Sequence, residues 1–127
     1  MPKFETRNID TIKGTQKFYK LIKDGVCQID DFEDDLEEIY KSELKTIYSY
    51  MDQLANLKSL PKTKFHFYNK AKGGFREFEF KSKHLRVYGI VINEGKLIIL
   101  GGMKANQDDD TTTFRRIKEE YIESIKE

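Results

Sequence analysis

The apolar periodicity of this chain changes once, at Pro61, and that change limits the folds open to it. Upstream, Phe32, Leu36, Ile39, Tyr40, Ile47, Tyr48, Met51 and Leu54 recur every three or four residues, the spacing of a helix that buries one stripe. Downstream, the stretch from Lys62 to Asn69 alternates with a period of two, as do the runs Phe75 to Lys81 and Leu85 to Ile92. Lys72-Gly73-Gly74 reads as a turn. Asn93-Glu94-Gly95 reads as a tight hairpin connection into Lys96-Leu97-Ile98-Ile99-Leu100, a run apolar on both faces that suits a central, covered strand. Helices first and strands after make an α+β chain.

The two ends complete the expectation. Phe4 to Ile9 is either a short edge strand or an unstructured lead. Ile12, Phe18, Tyr19, Leu21 and Ile22 sit near helical spacing, with Gly25 as a stop, which predicts a first helix. Asp30 or Asp31 is placed to cap the long second helix, whose acidic first turns suit the positive end of the helix dipole. After Gly101-Gly102, Asp108-Asp109-Asp110 reads as an acidic loop. Thr111 to Lys126 then closes the chain as a helix with Phe114, Ile117, Tyr121, Ile122 and Ile125 on one stripe, capped by Thr112 or Thr113. At 127 residues one modest core is expected. The expected domain is thus helical and acidic over 1–60, a small basic antiparallel sheet of three to four strands over 62–104, and a C-terminal helix over 111–126.

Formal net charge is +1, which on its face argues against a nucleic-acid binder, but the charges are segregated. From Asp24 to Glu43 nine acidic residues face one basic, net −8; from Lys58 to Arg86 nine basic residues face two acidic, net +7. Such asymmetry is what a polyanion-binding face leaves in a sequence, although two blocks that pair with each other or stay solvated would leave it too. Nine Phe and seven Tyr argue against disorder despite a charged fraction of 35%. The single cysteine, Cys27, forms no intrachain disulfide and lies in no Cys-His signature. Met1-Pro2-Lys3-Phe4-Glu5-Thr6 lacks the apolar core of a signal peptide, and the apolar run Leu97 to Leu100 is far short of a membrane span, so a cytoplasmic protein with no membrane contact is expected.

Several chemistries fail on residue type or spacing. One cysteine and two scattered histidines do not make a zinc site, and no cofactor is implied. Gly73-Gly74 and Gly101-Gly102 lack the spacing of a phosphate-binding loop. The Asp108–Asp110 triplet lacks the register of a calcium loop, leaving a solvated loop as the better reading and no metal site. What remains is a basic and phenolic set on the strands: Arg76, Lys81, Lys83, His84, Arg86, Tyr88 and, past the last strand, Lys104, with Lys64 on the strand before them. Arginine offers a planar fork to phosphate oxygens and lysine a point charge. Lysine, histidine and tyrosine act as acid or base when neighbouring charge shifts their pKa, so this set contains the group types that cleave a phosphodiester.

The residues Gly74-Phe75-Arg76-Glu77-Phe78-Glu79-Phe80, His84-Leu85-Arg86-Val87-Tyr88 and Lys96-Leu97-Ile98-Ile99-Leu100-Gly101-Gly102-Met103-Lys104 resemble the core of the RelE/ParE toxin superfamily, closest to its HigB-like, phage-derived branch. Glu77-Phe78 matches that family's Glu-Leu pair, Arg86-Val87-Tyr88 its Arg-Val-aromatic strand and Lys104 its lysine after the last strand. Phe114 to Tyr121 resembles the closing helix, and the likeness spans roughly residues 62–123. Two positions depart: Glu79 stands where the family has an arginine, and Ala105 follows Lys104 where a second basic residue is common. The resemblance implies a RelE-like fold and a toxin-like endoribonuclease that cuts mRNA at the ribosome without a metal. Its partner would be a cognate antitoxin, with a homodimer left open. Arg86, Lys104, His84 and Tyr88 would then be catalytic, and Arg76, Lys81, Lys83 and Lys64 would contact RNA. The alternatives are a non-enzymatic ParE-like inhibitor of a protein such as DNA gyrase, and a RelE-fold binding protein that has lost catalysis.

Overall fold

The computed structural model describes residues 2–68 and 75–126. Six strands form one mixed sheet: β1 (Phe4–Asn8), β2 (Lys17–Lys23), β3 (Phe65–Phe67), β4 (Glu77–Lys81), β5 (Leu85–Ile92) and β6 (Gly95–Met103). Their spatial order is β1-β2-β6-β5-β4-β3. Every neighbouring pair is antiparallel except β2 and β6, which run parallel with Lys17 opposite Gly95. Among the described residues there are also three α-helices: α1 (Gln28–Asp35), α2 (Glu38–Ala55) and α3 (Gln107–Ile125). The α+β class stands, but the sheet has six strands rather than three to four and is not wholly antiparallel. The predicted turn at Lys72-Gly73-Gly74 lies outside the described residues.

The predicted first helix is a strand. Residues 17–23 bury Phe18 and Ile22 on one side and Leu21 on the other, and a strand between two neighbours is the element that buries both faces. Gly25 ends it as a turn residue, with Asp24 and Gly25 both at positive φ (50° and 80°) and Val26 bridging back to Lys23. Phe4–Asn8 takes the strand alternative, at the sheet edge. The predicted long helix is two helices: Leu36 and Glu37 are extended, with ψ of 133° and 143°, and the chain turns between α1 and α2. Asp30 and Asp31 lie inside the first turn of α1, whose cap position is Cys27.

The acidic triplet is also helical. Asp108, Asp109 and Asp110 form the first turn of α3, where carboxylates meet the positive end of the helix dipole. Thr112 and Thr113 are not caps: both lie inside α3, whose cap position is Asn106, and the Thr112 hydroxyl donates back to the Asp108 carbonyl.

The sheet is covered on both faces. Phe18, Ile22, Phe78, Phe80, Leu85, Val87 and Ile98 meet α1 and α2 through Ile29, Leu44, Ile47 and Met51. On the opposite face Leu21, Tyr88, Ile90, Leu97 and Ile99 meet α3 through Phe114 and Ile117. Close approach of α1 depends on Gly101, where a side chain would stand 2.6 Å from Ile29 Cδ1 and 2.7 Å from Phe32 Cδ2. Each fully buried large apolar side chain contributes about 1.5–3 kcal/mol, so these two cores dominate the stability of the fold.

Candidate functional site

Strand register gathers most of the predicted site at one end of the sheet. Lys81 lies opposite Arg86, Arg86 opposite Gly102 and Leu85 opposite Met103. The Lys104 amide donates to the His84 carbonyl at 2.7 Å, closing the row. Lys81, Lys83, His84, Arg86 and Lys104 therefore share the end formed by the β4–β5 turn and the exit of β6. Lys83 and Lys104 are exposed. The Lys81 ammonium stands 3.6 Å from the Glu79 carboxylate.

Arg86 is not displayed to a ligand in the way the sequence suggests. It is only 8% exposed, and its Nη1 donates to the carbonyls of Ser82 (2.7 Å) and Leu85 (2.8 Å). Its Nε is buried without a hydrogen-bond partner. The guanidinium fastens the β4–β5 turn that carries Lys83 and His84, which makes it a positioning group. Tyr88 is further from the solvent still. It is fully buried, stacked on Phe114 with ring centroids 5.6 Å apart, and its hydroxyl makes no hydrogen bond. Burial, reinforced by Glu79 and Asp110, pushes its phenol up to about 12. A shielded phenol that keeps its proton is core, so Tyr88 drops out of the acid and base candidates.

His84 gains a partner that the sequence did not reveal. Glu43, on α2, accepts from Ser82 Oγ (2.6 Å) and from the His84 backbone N–H (2.9 Å), and its other oxygen lies 2.7 Å from His84 Nδ1. Partial burial opposes ionisation of Glu43, but the bonds from Ser82 and His84 outweigh it and hold the carboxyl below its ordinary value. Ionised Glu43 accepts a hydrogen bond from Nδ1–H of His84, which leaves the Nε2 lone pair as the free acceptor of the neutral ring. The ring rests against Tyr40 at 5.1 Å between centroids and is 41% exposed. An imidazole oriented by a carboxylate can take a proton from a hydroxyl, and lysines on the same end of the sheet can stabilise a phosphate.

The remaining predicted RNA contacts lie apart. Lys64 backs onto this end, since the Lys81 amide donates to its carbonyl at 2.8 Å, but its ammonium lies over the Tyr50 ring on the α2 side. Arg76 stacks on Phe67 at 3.9 Å, toward the other end of β4, beside a groove of about 410 Å³ lined by Leu54, Leu60, Lys62 and Phe67 among others. The two carboxylates of β4 turn toward α3. Glu77 takes Arg115 and Lys118, the latter at 3.0 Å, while Glu79 accepts from Tyr68 (2.9 Å) and Gln107 (3.3 Å). Glu43, through its bonds to Ser82 and His84, joins the acidic stretch 24–43 to the basic stretch 58–86.

Among the described residues no group of three or more His, Cys, Asp or Glu side chains is arranged to hold a metal ion, and no helix is long and apolar enough to cross a membrane. No family model, no curated protein and no solved structure matches the chain.

Proposed function

We propose that the chain is a toxin-like endoribonuclease of RelE-like type that cuts mRNA, at the ribosome, and is held in check by an antitoxin protein. One observation carries the reading: the Glu43–His84 pair stands within the Lys81, Lys83 and Lys104 end of the sheet. In this reading His84 Nε2 removes the 2'-hydroxyl proton, and that oxygen attacks the adjacent phosphorus. The lysine ammonium groups stabilise the charge that builds on the phosphoryl oxygens, and the leaving 5'-oxygen takes its proton from a lysine or from water. Histidine and lysine supply the acid, base and charge stabilisation, so the scheme calls for no metal. Arg86 holds the turn on which His84 and Lys83 ride.

Induced expression tests it. The expected result is growth arrest with cleaved transcripts, both relieved by His84→Ala and by Lys104→Ala. A second reading, inhibition by binding without cleavage, draws support from the commitment of Arg86 to backbone carbonyls and the burial of Tyr88. Arrest with intact mRNA would favour that reading, and no effect on growth would overturn both.

A further inference from the structure

The sheet ends at β1, and the hydrogen-bonding phase of that strand is fixed by its neighbour. The Asp24 amide donates to the Lys3 carbonyl at 2.7 Å and the Ile9 amide to the Phe18 carbonyl at 2.9 Å. Between them Phe4 to Asn8 pair antiparallel with Lys23 to Tyr19. Bonded and non-bonded pairs alternate in such a ladder. Glu5 and Arg7 therefore bond inward to β2, while Phe4, Thr6 and Asn8 turn their N–H and C=O groups outward, away from β2. Glu5, Thr6, Arg7 and Asn8 are exposed. Natural sheets blunt such an edge with like charges, proline or a cover. This edge instead carries one acid and one base two residues apart, on the same face.

We propose that β1 is a homodimer surface on which two copies pair antiparallel about Thr6. Centred there, Thr6 exchanges both backbone bonds with Thr6 of the second copy, and Phe4 pairs with Asn8 on either side. Those are the residues whose backbone groups face outward. The intervening positions set Glu5 of each copy directly opposite Arg7 of the other, at the closer, non-bonded spacing where cross-strand charges interact most. The pattern also selects the register. A shift of two residues in one direction sets Glu5 against Glu5, and in the other Arg7 against Arg7, and like charges directly opposite are unfavourable.

The α3 side of this edge supplies apolar surface. Phe4 packs edge-on against Tyr121, with centroids 5.7 Å apart, and a groove of about 420 Å³ runs along Pro2, Phe4, Thr6, Tyr121 and Ile125. Ile125 is 50% exposed, so self-pairing brings the two grooves to one face of a continuous sheet. The surface is independent of the RNA reading, because β3 and β4 lie at the opposite edge and stay free.

Sedimentation velocity on the full chain, from about 1 µM to 1 mM, tests the proposal. The wild-type chain should show a reversible monomer–dimer equilibrium. Glu5→Arg and Arg7→Glu should each weaken it at least about tenfold by setting like charges across the edge twice. The double swap, Glu5→Arg with Arg7→Glu, should restore dimerisation, which an effect on folding alone would not do. Thr6→Pro removes an outward N–H that β2 does not use and should leave a monomer with an unchanged melting curve. A wild-type chain that stays monomeric throughout overturns the proposal. So do single variants that dimerise like wild type, or a double variant that melts normally yet fails to recover.

Discussion

Replacing Glu43 with alanine should destabilise the chain by an amount that depends on pH. The substitution removes a carboxylate that accepts from Ser82 Oγ at 2.6 Å, the His84 amide at 2.9 Å and His84 Nδ1 at 2.7 Å. A protected hydrogen bond to a charged group contributes about 1.5–3 kcal/mol. The Glu43 side chain is partly exposed, so the Ser82 and amide bonds belong at the low end of that range. The His84 pair, more exposed still, belongs below about 1 kcal/mol. The expected loss is about 3 kcal/mol at neutral pH, or about 10 °C in Tm for a chain of this size. Because the folded carboxyl is held below its ordinary value of 4.5, the charge-dependent part of this stabilisation is fully present above that value and is lost as pH falls through the folded value. Urea titrations of wild type and Glu43→Ala at pH 7 and at successively lower pH should show a gap that narrows in acid. Glu43→Gln, which keeps an acceptor but no charge, should fall between them. A gap below about 0.5 kcal/mol at pH 7, or one that persists undiminished in acid, would refute the account of the pair.

Two further substitutions probe the sheet. A Cβ at Gly89 would collide with the Leu97 carbonyl oxygen and stand 2.5 Å from Phe78 Cζ; neither the ladder nor the buried ring can give way cheaply. Gly89→Ala should therefore cost about 3 kcal/mol, whereas Gly25→Ala, at φ of 80° in open space, should cost about 1 kcal/mol. Denaturation midpoints showing the reverse order would contradict the packing at the β5–β6 register shift. Tyr88→Phe deletes a buried hydroxyl that makes no hydrogen bond, so it should leave stability equal or raise it by about 1 kcal/mol. Full loss of RNA cleavage in that variant, with stability intact, would return Tyr88 to the reacting groups.

Legibility in the sequence followed whether a signal was local. The stripes of α2 and α3 and the Asn93-Glu94 turn between β5 and β6 are local patterns, and they predict the elements found there. In β2, Phe18, Tyr19, Leu21 and Ile22 satisfy a helical spacing as well as a two-faced strand. The choice is made by pairing with β6, far along the chain, which no window of residues contains. The break at Leu36 carries neither glycine nor proline to announce it.

The candidate site divides in the same way. Lys81, Lys83, His84, Arg86 and Lys104 are close in a hairpin and its neighbouring strand, so their meeting could be anticipated. Glu43 meets His84 only because α2 packs across the sheet, and in the sequence it is one acid among nine. Alternation puts Tyr88 and Arg86 on one face of β5, but the burial of Tyr88 is decided by α3, and the commitment of Arg86 to two carbonyls is decided by the turn it closes.

The parallel pairing of β2 with β6 fixes when the fold can assemble. On a chain made from its N-terminus, β1 and β2 emerge early and pair with each other, yet the inner side of β2 has no neighbour until Gly95 to Ile98 have been synthesised. Closing so long a loop delays the step, and contacts this distant in sequence slow folding. Until β6 arrives the inner backbone edge of β2 is unpaired, and Leu21 stays uncovered until α3 follows. A chain that stops before residue 95 would thus present an adhesive, half-formed sheet to other proteins, and only completion of β6 and α3 turns it into a folded molecule.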